Sequence, residues 1–461
     1  MRFSLLLLMT ICVCLQDSRG NALGAEEPRA DTPQLGAIAH VSKRVLEDML
    51  NRDVTLKETV SEPILNMTTL GTARIDCKVG LDLLPNPQAA NLRLSMNGTV
   101  IMDDAVSTAG SVRIHSTSQT QIRVDKDVLL DAQGLHLLPA RSSARASIRV
   151  HNIDSRGRFV EGVAWRRVGR TQSEAEEACG QRTARRAEQQ LELEVGKSLG
   201  KVQSQYVDNV LKPLSDRGAF PDARLATTRD HLSIRLFRNA ERAAMSPLSG
   251  PPPRLADDLA ICLNDSFVNE MAALVLAGKT YTDHELADLL KILIGATPRP
   301  LWIHARTAPW SVTAAQERPV VVSFAGDRVS ITLRIDHAVR GGEHLDRTLA
   351  VTAVYALECT ADGPRLIRSG DLAVEFTDAD PGDHADPRDA QFLEFLQRKF
   401  AGVFLADLYF DGLMPPEGGL WGKLRRLQLT EFSSRDGWLN MGYELQSVAP
   451  VVSAPRSTRA R

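Results

Sequence analysis

Between Thr72 and Leu83 every second side chain is apolar: Ala73, Ile75, Cys77, Val79, Leu81 and Leu83 alternate with Thr72, Arg74, Asp76, Lys78, Gly80 and Asp82. A period of two belongs to a β-strand, whose successive side chains point to opposite faces, so this stretch has one dry face and one wet face. Such a strand calls for antiparallel neighbours with the same alternation. Asn91 to Val100 supplies one through Leu92, Leu94 and Met96, after the turn Pro85-Asn86-Pro87. Ser111–Ser118, Gln121–Leu130 and Arg145–Val163 supply others, and the sum is a meander of unusually long strands.

Helical spacing frames the meander. Leu35, Ile38, Val41, Val45, Leu46 and Met49 recur at threes and fours and predict an amphipathic helix over Leu35–Asn51. A second, long helix is predicted over about 171–211, on the narrow stripe of Leu191, Val195, Leu199, Val202, Tyr206 and Val210. The Ser-Pro and Gly-Pro-Pro-Pro run at 245–254 reads as a stiff linker.

Beyond the linker, Leu259–Leu263 reads as a strand. Phe267, Met271, Leu274 and Val275 follow at helical spacing, with Gly278 as the stop, and Thr282 with Glu285 caps the next helix. Alternation then returns through Val329, Ile331, Leu333 and Ile335, and again from Leu349 to Leu357 and from Leu372 to Phe376. Phe392 to Phe404 reads as a late helix, Trp438–Leu445 as a closing strand, and the tail 447–461 as disordered. The expected fold is therefore α+β: two elongated modules, 25–244 and 255–446, each a long curved antiparallel sheet wrapped around amphipathic helices. The similar order of elements suggests an ancient duplication.

Residues 1–24 have the parts of a secretory signal: Arg2, the apolar run Leu5–Leu15, and small residues before a cut after Gly24. The mature chain is expected to be secreted or periplasmic. It retains Cys77, Cys179, Cys262 and Cys359, for which two readings stay open: one bridge per half, Cys77–Cys179 and Cys262–Cys359, or four buried thiols. At 43% apolar, 24% charged and 5% aromatic, the composition excludes disordered, collagen-like and coiled-coil chains. The 55 basic and 57 acidic side chains leave no basic field, which excludes nucleic acid as the main partner.

No catalytic motif is complete. Gly196-Lys197-Ser198 lacks the first glycine of a phosphate loop, and His284-Glu285 lacks the second histidine of a zincin helix. The expectation is a non-enzyme without cofactor or metal. Asp378, Asp380, Asp383, Asp386 and Asp389 have the density of a calcium loop but not its order, and a solvated connector accounts for them better.

The segment Leu259–Gly278, a short strand running into a Ser-Phe-x-Asn helix that ends at Ala-Gly, resembles the opening of the second module in the bactericidal/permeability-increasing and lipid-transfer proteins of the tubular lipid-binding superfamily. The helix from Ile38 to Leu50 before long strands is similar to the start of a module there, and Phe410–Pro416 with Leu427–Leu429 and Trp438–Tyr443 resembles the closing turn and strand. The resemblance implies curled sheets around an apolar channel and a lipid ligand. It also implies a disulfide joining a strand to a helix in the first module, which Cys77 and Cys179 match. Cys262 and Cys359 have no counterpart, and a basic tip is not evident.

A curled sheet lined by aliphatic side chains can also leave an apolar channel on physical grounds alone. The candidate lining residues are Val45, Met49, Ile75 and Val79 in the first half, and Phe267, Met271, Val329 and Ile331 in the second. The expected partners are a lipid or hydrophobic small molecule and a membrane surface; the oligomeric state is not legible. Two other readings compete: a structural or interaction protein of the cell envelope without ligand, and a secreted hydrolase whose site converges from distant residues.

Overall fold

The computed structural model describes residues 34–206 apart from 66, 132–133 and 156, then 222–238, 257–294, 301, 308–360, 363–377, 387–409 and 426–446. The signal segment, the linker 245–254, the tail, Asp378–Asp386 and Phe410–Pro416 lie outside the described residues.

The chain opens with strand β1 (Gln34–Ser42) and helix α1 (Lys43–Leu50). The first-half meander follows as β2 (Arg52–Ile64), β3 (Met67–Leu84), β4 (Ala90–Ala109), β5 (Val112–Asp131), β6 (Gly134–Leu137) and β7 (Arg141–Asp154). The 49-residue helix α2 (Arg158–Tyr206) and the hairpin β8 (Asp222–Thr227) and β9 (His231–Arg238) complete this half. The second half begins with β10 (Leu259–Asn264), α3 (Asp265–Leu276), β11 (Thr280–Thr282) and α4 (Asp283–Ile294). Its sheet continues with β12 (Trp310–Ala314), β13 (Val320–Ala325), β14 (Arg328–Arg340), β15 (Glu343–Leu345), β16 (Leu349–Thr360), β17 (Gly363–Arg368) and β18 (Ala373–Phe376). Helix α5 (Pro387–Val403), β19 (Asp407–Tyr409) and the hairpin β20 (Leu427–Arg435) and β21 (Trp438–Leu445) close the chain.

Every strand pairing is antiparallel, so the α+β expectation holds. Among the described residues the sheets are three. One has the order β2-β3-β4-β5-β6 with β7 also on β5; another runs β11-β12-β14-β16-β17-β19; the third, β20-β21-β10-β1-β9-β8, takes three strands from each half.

Three elements differ from the sequence reading. Leu35–Ser42 is strand rather than helix: β9 and β10 pair with its two edges, Ala37 and Ile38 are buried on opposite faces, and the apolar run Leu35–Ala39 carries helical spacings by coincidence. The helix begins only where the Ser42 side chain accepts the Val45 N–H at 3.3 Å. Likewise the strand from Arg145 stops at Asp154, and α2 starts at Arg158, ahead of the expected 171. Finally, the two strands expected within Ser111–Leu130 are one, Val112–Asp131, since the polar Ser118–Gln121 stretch keeps its ladder to β4.

The shared sheet has an internal two-fold. Ala39 stands opposite Ile261, and each lies the same distance before the cap of its helix, Ser42 or Asn264. Outward from that pair, Ala39 faces Ile234 and Ile234 faces Leu225, while Ile261 faces Met441 and Met441 faces Phe432. Both halves therefore run strand, helix, long sheet, helix and closing hairpin, with the axis between Ala39 and Ile261. Cores merge across it as well: Ala37 and Val45 of the first half lie in one cluster with Leu263, Phe267, Trp310, Tyr355, Leu396 and Phe400. Gly36 is required here, because a Cβ on it would stand 2.3 Å from Cδ2 of Phe267.

Candidate functional site

Six of the eight candidate lining residues come together, in a packed interior. Val45 and Met49 of α1, Phe267 and Met271 of α3, and Val329 and Ile331 of β14 belong to or pack against that single cluster. Aromatic side chains in and just after α5 fill it: Trp310 meets Phe395 edge-on at 6.0 Å and Phe400 at 6.4 Å, and Phe392 and Phe404 are buried beside them. These six residues hold the fold together. Ile75 and Val79 lie in a different place, on the inner face of the first-half sheet.

That face can be read row by row across the ladder. Leu56, Ile75, Val100, Thr120 and Ala146 stand in one row, and Val54, Cys77, Gly98, Ile122 and Ala144 in the next. Val79, Met96, Val124 and Ser142 form a third. Helix α2 is fastened over the β5 and β7 side. Glu176 accepts the Ile148 N–H at 3.0 Å, Glu188 the Ser142 hydroxyl at 2.6 Å, and Glu192 the Ala140 N–H at 3.1 Å. Gly180 lets the helix settle close, since a Cβ there would lie 3.1 Å from the Ala144 carbonyl.

On the opposite side of α2, Arg186 reaches Glu62 of β2 at 2.8 Å and also pairs with Glu58. Flat, the distance from β7 to β2 would be about 19 Å, four strand spacings, against a helix about 10 Å wide. One helix touching both margins means that the sheet curls around it.

The enclosed face is aliphatic and incompletely covered. Val124, Leu191 and Val195 form one small cluster with Leu94 and Met96, and Ala73, Met102 and Ala105 another with Val100. Ile75 and Val79 between them are only half-buried. The signal that sequence reasoning missed is an absence: between Phe3 and Phe159 the chain contains no Phe, Tyr or Trp. Seven strands in a row thus bring no ring to fill their interior, whereas α5 brings three phenylalanines to the other module, with Phe404 just beyond its end.

Cys77 and Cys179 face this interior as free thiols, and Cys262 is free as well, so the expected Cys77–Cys179 bridge is absent. The register explains why. Cys77 lies opposite Gly98 and, beyond it, Ile122, while the Cys179 sulfur sits 4.0 Å from Thr120 on the same far strand. The Cys77 sulfur leans over Gly98 of β4, 2.4 Å from where a Cβ on that residue would stand, so the two sulfurs are aimed at different strands. Burial pushes both thiols up, so they stay neutral and add to the apolar lining. At the inner end, buried Lys126 donates to the Leu138 carbonyl at 2.9 Å and pairs with Glu192 at 3.3 Å.

Other candidate chemistry is weaker. Ser233 Oγ lies 3.2 Å from His40 Nε2, as a nucleophile and its base would. Yet His40 Nδ1 is buried without a partner to orient it, and burial, with Arg235 and His231 adding to it, lowers its pKa to about 4. So weak a base activates a serine poorly.

The same shift predicts an acid-sensitive fold. Between pH 6.5 and about 4 the unfolded chain binds a proton on His40 that the folded chain refuses, so stability present at neutral pH is lost as pH falls through that window. Denaturant titrations of wild type and His40→Gln should show the variant losing less stability between pH 7 and pH 4; equal losses would count against this role. A concavity of about 510 Å³ on the second module, lined by Glu317, Arg334, Asp336, Thr348 and Thr377, is open and polar and unsuited to an alkyl chain. Among the described residues no cluster of His, Cys, Asp or Glu could hold a metal ion, and no helix is long and apolar enough to cross a membrane.

Fold and site together define an α+β protein whose two curled antiparallel modules are joined through a shared sheet. No family model matches the sequence. No curated protein matches it either. Among solved structures the chain is similar to the crystal structure of lipopolysaccharide binding protein, at TM-score 0.30 and 12% identity over 90% of this chain and 99% of that one. It is also similar to P47 of Clostridium botulinum E1, at TM-score 0.27 and 7% identity over 90% and 100%. P47 from Clostridium botulinum A2 follows at TM-score 0.26 and 9% identity over 89% and 97%.

Proposed function

We propose that the protein is an exported, non-enzymatic binder of lipid or another hydrophobic ligand, with the alkyl portion lying between α2 and the inner face of β3 and β4. The observation that carries this reading is the half-buried aliphatic strip of Ile75, Val79, Met96 and Val100 in an interior whose strands carry no aromatic ring. Covering such a strip with an alkyl chain gains about 0.8 kcal/mol per methylene, and neutral thiols at Cys77 and Cys179 do not oppose it. Export rests on the apolar run Leu5–Leu15 and the small residues before Ala25.

A membrane surface is the proposed partner of the leading end of α2. The first buried residue of that helix is Gly180. Ahead of it Phe159 is 82% exposed, and Val160, Val163 and Trp165 are also bare beside Arg158, Arg166, Arg167 and Arg170. Apolar side chains set among arginines suit an anionic bilayer interface.

Gently purified protein should carry about one lipid per chain by native mass spectrometry, the loading of a single trough. It should also cosediment with anionic vesicles and not with neutral ones. Protein that is free of lipid and takes up no fluorescent acyl probe after delipidation would sink the reading.

A further inference from the structure

We propose that the ligand enters sideways, through the seam between edge strand β2 and helix α2, and that Arg186 with Glu58 and Glu62 is the clasp that closes it; this rests on the binding reading above. Among the described residues β2 is the free edge of its sheet, and its inner-facing residues are Val54, Leu56, Glu58, Val60 and Glu62, set by their pairing with Cys77, Ile75, Ala73, Gly71 and Thr69. The opposite margin is sealed by the three glutamate contacts from α2 to β5–β7 and by the Gly180 approach. At the β2 margin the fastening is ionic: Arg186 pairs with Glu62 at 2.8 Å and with Glu58, and its side chain remains 49% exposed. Ion pairs in water contribute little and are screened by salt, so this margin opens at small cost.

Beside the clasp the seam has apolar lips. Leu56 precedes Glu58 by two residues on the same face of β2, about 7 Å along the strand toward the shared sheet, and is 53% exposed. On α2, Leu193 lies seven residues beyond Arg186 on the same helix face, about 10 Å toward the shared sheet, and is 57% exposed. Both lips lie on the same side of the clasp, and next to Leu56 in the ladder stands Ile75, the start of the half-buried strip. Exposed leucines on both borders of an ionic seam, leading to an uncovered aliphatic interior, form a path that an alkyl chain can follow without meeting a charge. Charged residues along β2 also keep this edge from pairing with another sheet.

The test is the release rate of a fluorescent acyl probe from preloaded full-length protein into vesicles. Arg186→Glu should speed release about tenfold, the effect of losing two exposed ion pairs and gaining repulsion. Adding Glu58→Arg and Glu62→Arg to that variant should restore the wild-type rate. Joining Glu62→Cys to Arg186→Cys with a short bismaleimide should slow release at least about tenfold, a change in barrier of about 1.4 kcal/mol, with the single-cysteine variants as controls for the native thiols. Higher salt should speed release from wild type and not from Arg186→Glu. Probe that binds and leaves at one rate from every protein overturns the entrance and leaves the binding reading standing. Wild type that takes up no probe overturns both.

Discussion

Ile75→Trp combined with Val100→Phe is expected to reduce bound lipid to less than about one-tenth of the wild-type amount while leaving the thermal midpoint unchanged or raised. The two positions face each other across β3 and β4, and both are half-buried on the inner face. Rings placed there occupy the space assigned to the ligand. In an interior already filled, extra volume strains neighbours and costs about 1–3 kcal/mol, whereas on an uncovered face it adds apolar burial. The sign of the stability change therefore separates trough from core.

Val329→Phe and Ile335→Trp provide the comparison, since these side chains are 4% and 0% exposed in the ring-filled second module, and they should lower stability. Lipid counted by mass spectrometry and unfolding followed by calorimetry check both arms. A first-half variant that loses several degrees along with its lipid would mean that Ile75 and Val100 were already packed, and the trough would not exist.

How much of this was legible follows from which residues face water. β3, β4 and β5 could be read because each buries one face only, and the alternation of Ile75, Cys77 and Val79 with Asp76 and Lys78 is the direct imprint of that. β2 was not read: an edge strand is wet on both sides, and Lys57, Glu58 and Glu62 erase the period. β1 hides its period for a different reason: Ala37 and Ile38, on opposite faces, are both buried.

The site followed the same logic. Ile75 and Val79 could be picked from their alternation, but Val45, Phe267 and Val329 have the same character and serve a packed core, because apolarity does not say whether a partner side chain arrives. The decisive clue, no aromatic ring between Phe3 and Phe159, was present in the sequence. It gained meaning only when the register placed all those strands around one helix. Arg186 was invisible for a related reason: nothing local distinguishes it from Arg182 or Arg185, and its glutamates lie more than 120 positions away.

Asp258→Ala is expected to destabilise the whole protein by about 3 kcal/mol, in one transition and with little change in denaturant slope. Asp258 is 6% exposed where the halves meet. Its carboxylate accepts the Ser42 hydroxyl at 3.1 Å and the Leu445 N–H at 2.8 Å, with Arg44 at 3.4 Å, and its own backbone bonds Ser42 on one side and Tyr443 on the other. One carboxylate thus joins the end of β1 to the end of β21, across the strand that precedes α3. Alanine would leave the Leu445 N–H buried without an acceptor, and desolvation of that group is the larger part of the loss.

Ser42→Ala removes one donor and weakens the α1 cap, at about 1 kcal/mol, while Asp258→Asn keeps an acceptor and should fall between the two. The loss should be global because Ala37 and Val45 share a core with Phe267 and Phe400, so neither half can open at this junction while the other stays closed. Urea unfolding watched by far-ultraviolet dichroism and by tryptophan fluorescence should therefore give coincident curves that shift together. Two separated transitions in the wild type would show that the modules fold independently, and the shared sheet would then be a contact between two proteins in one chain rather than the frame on which both are built.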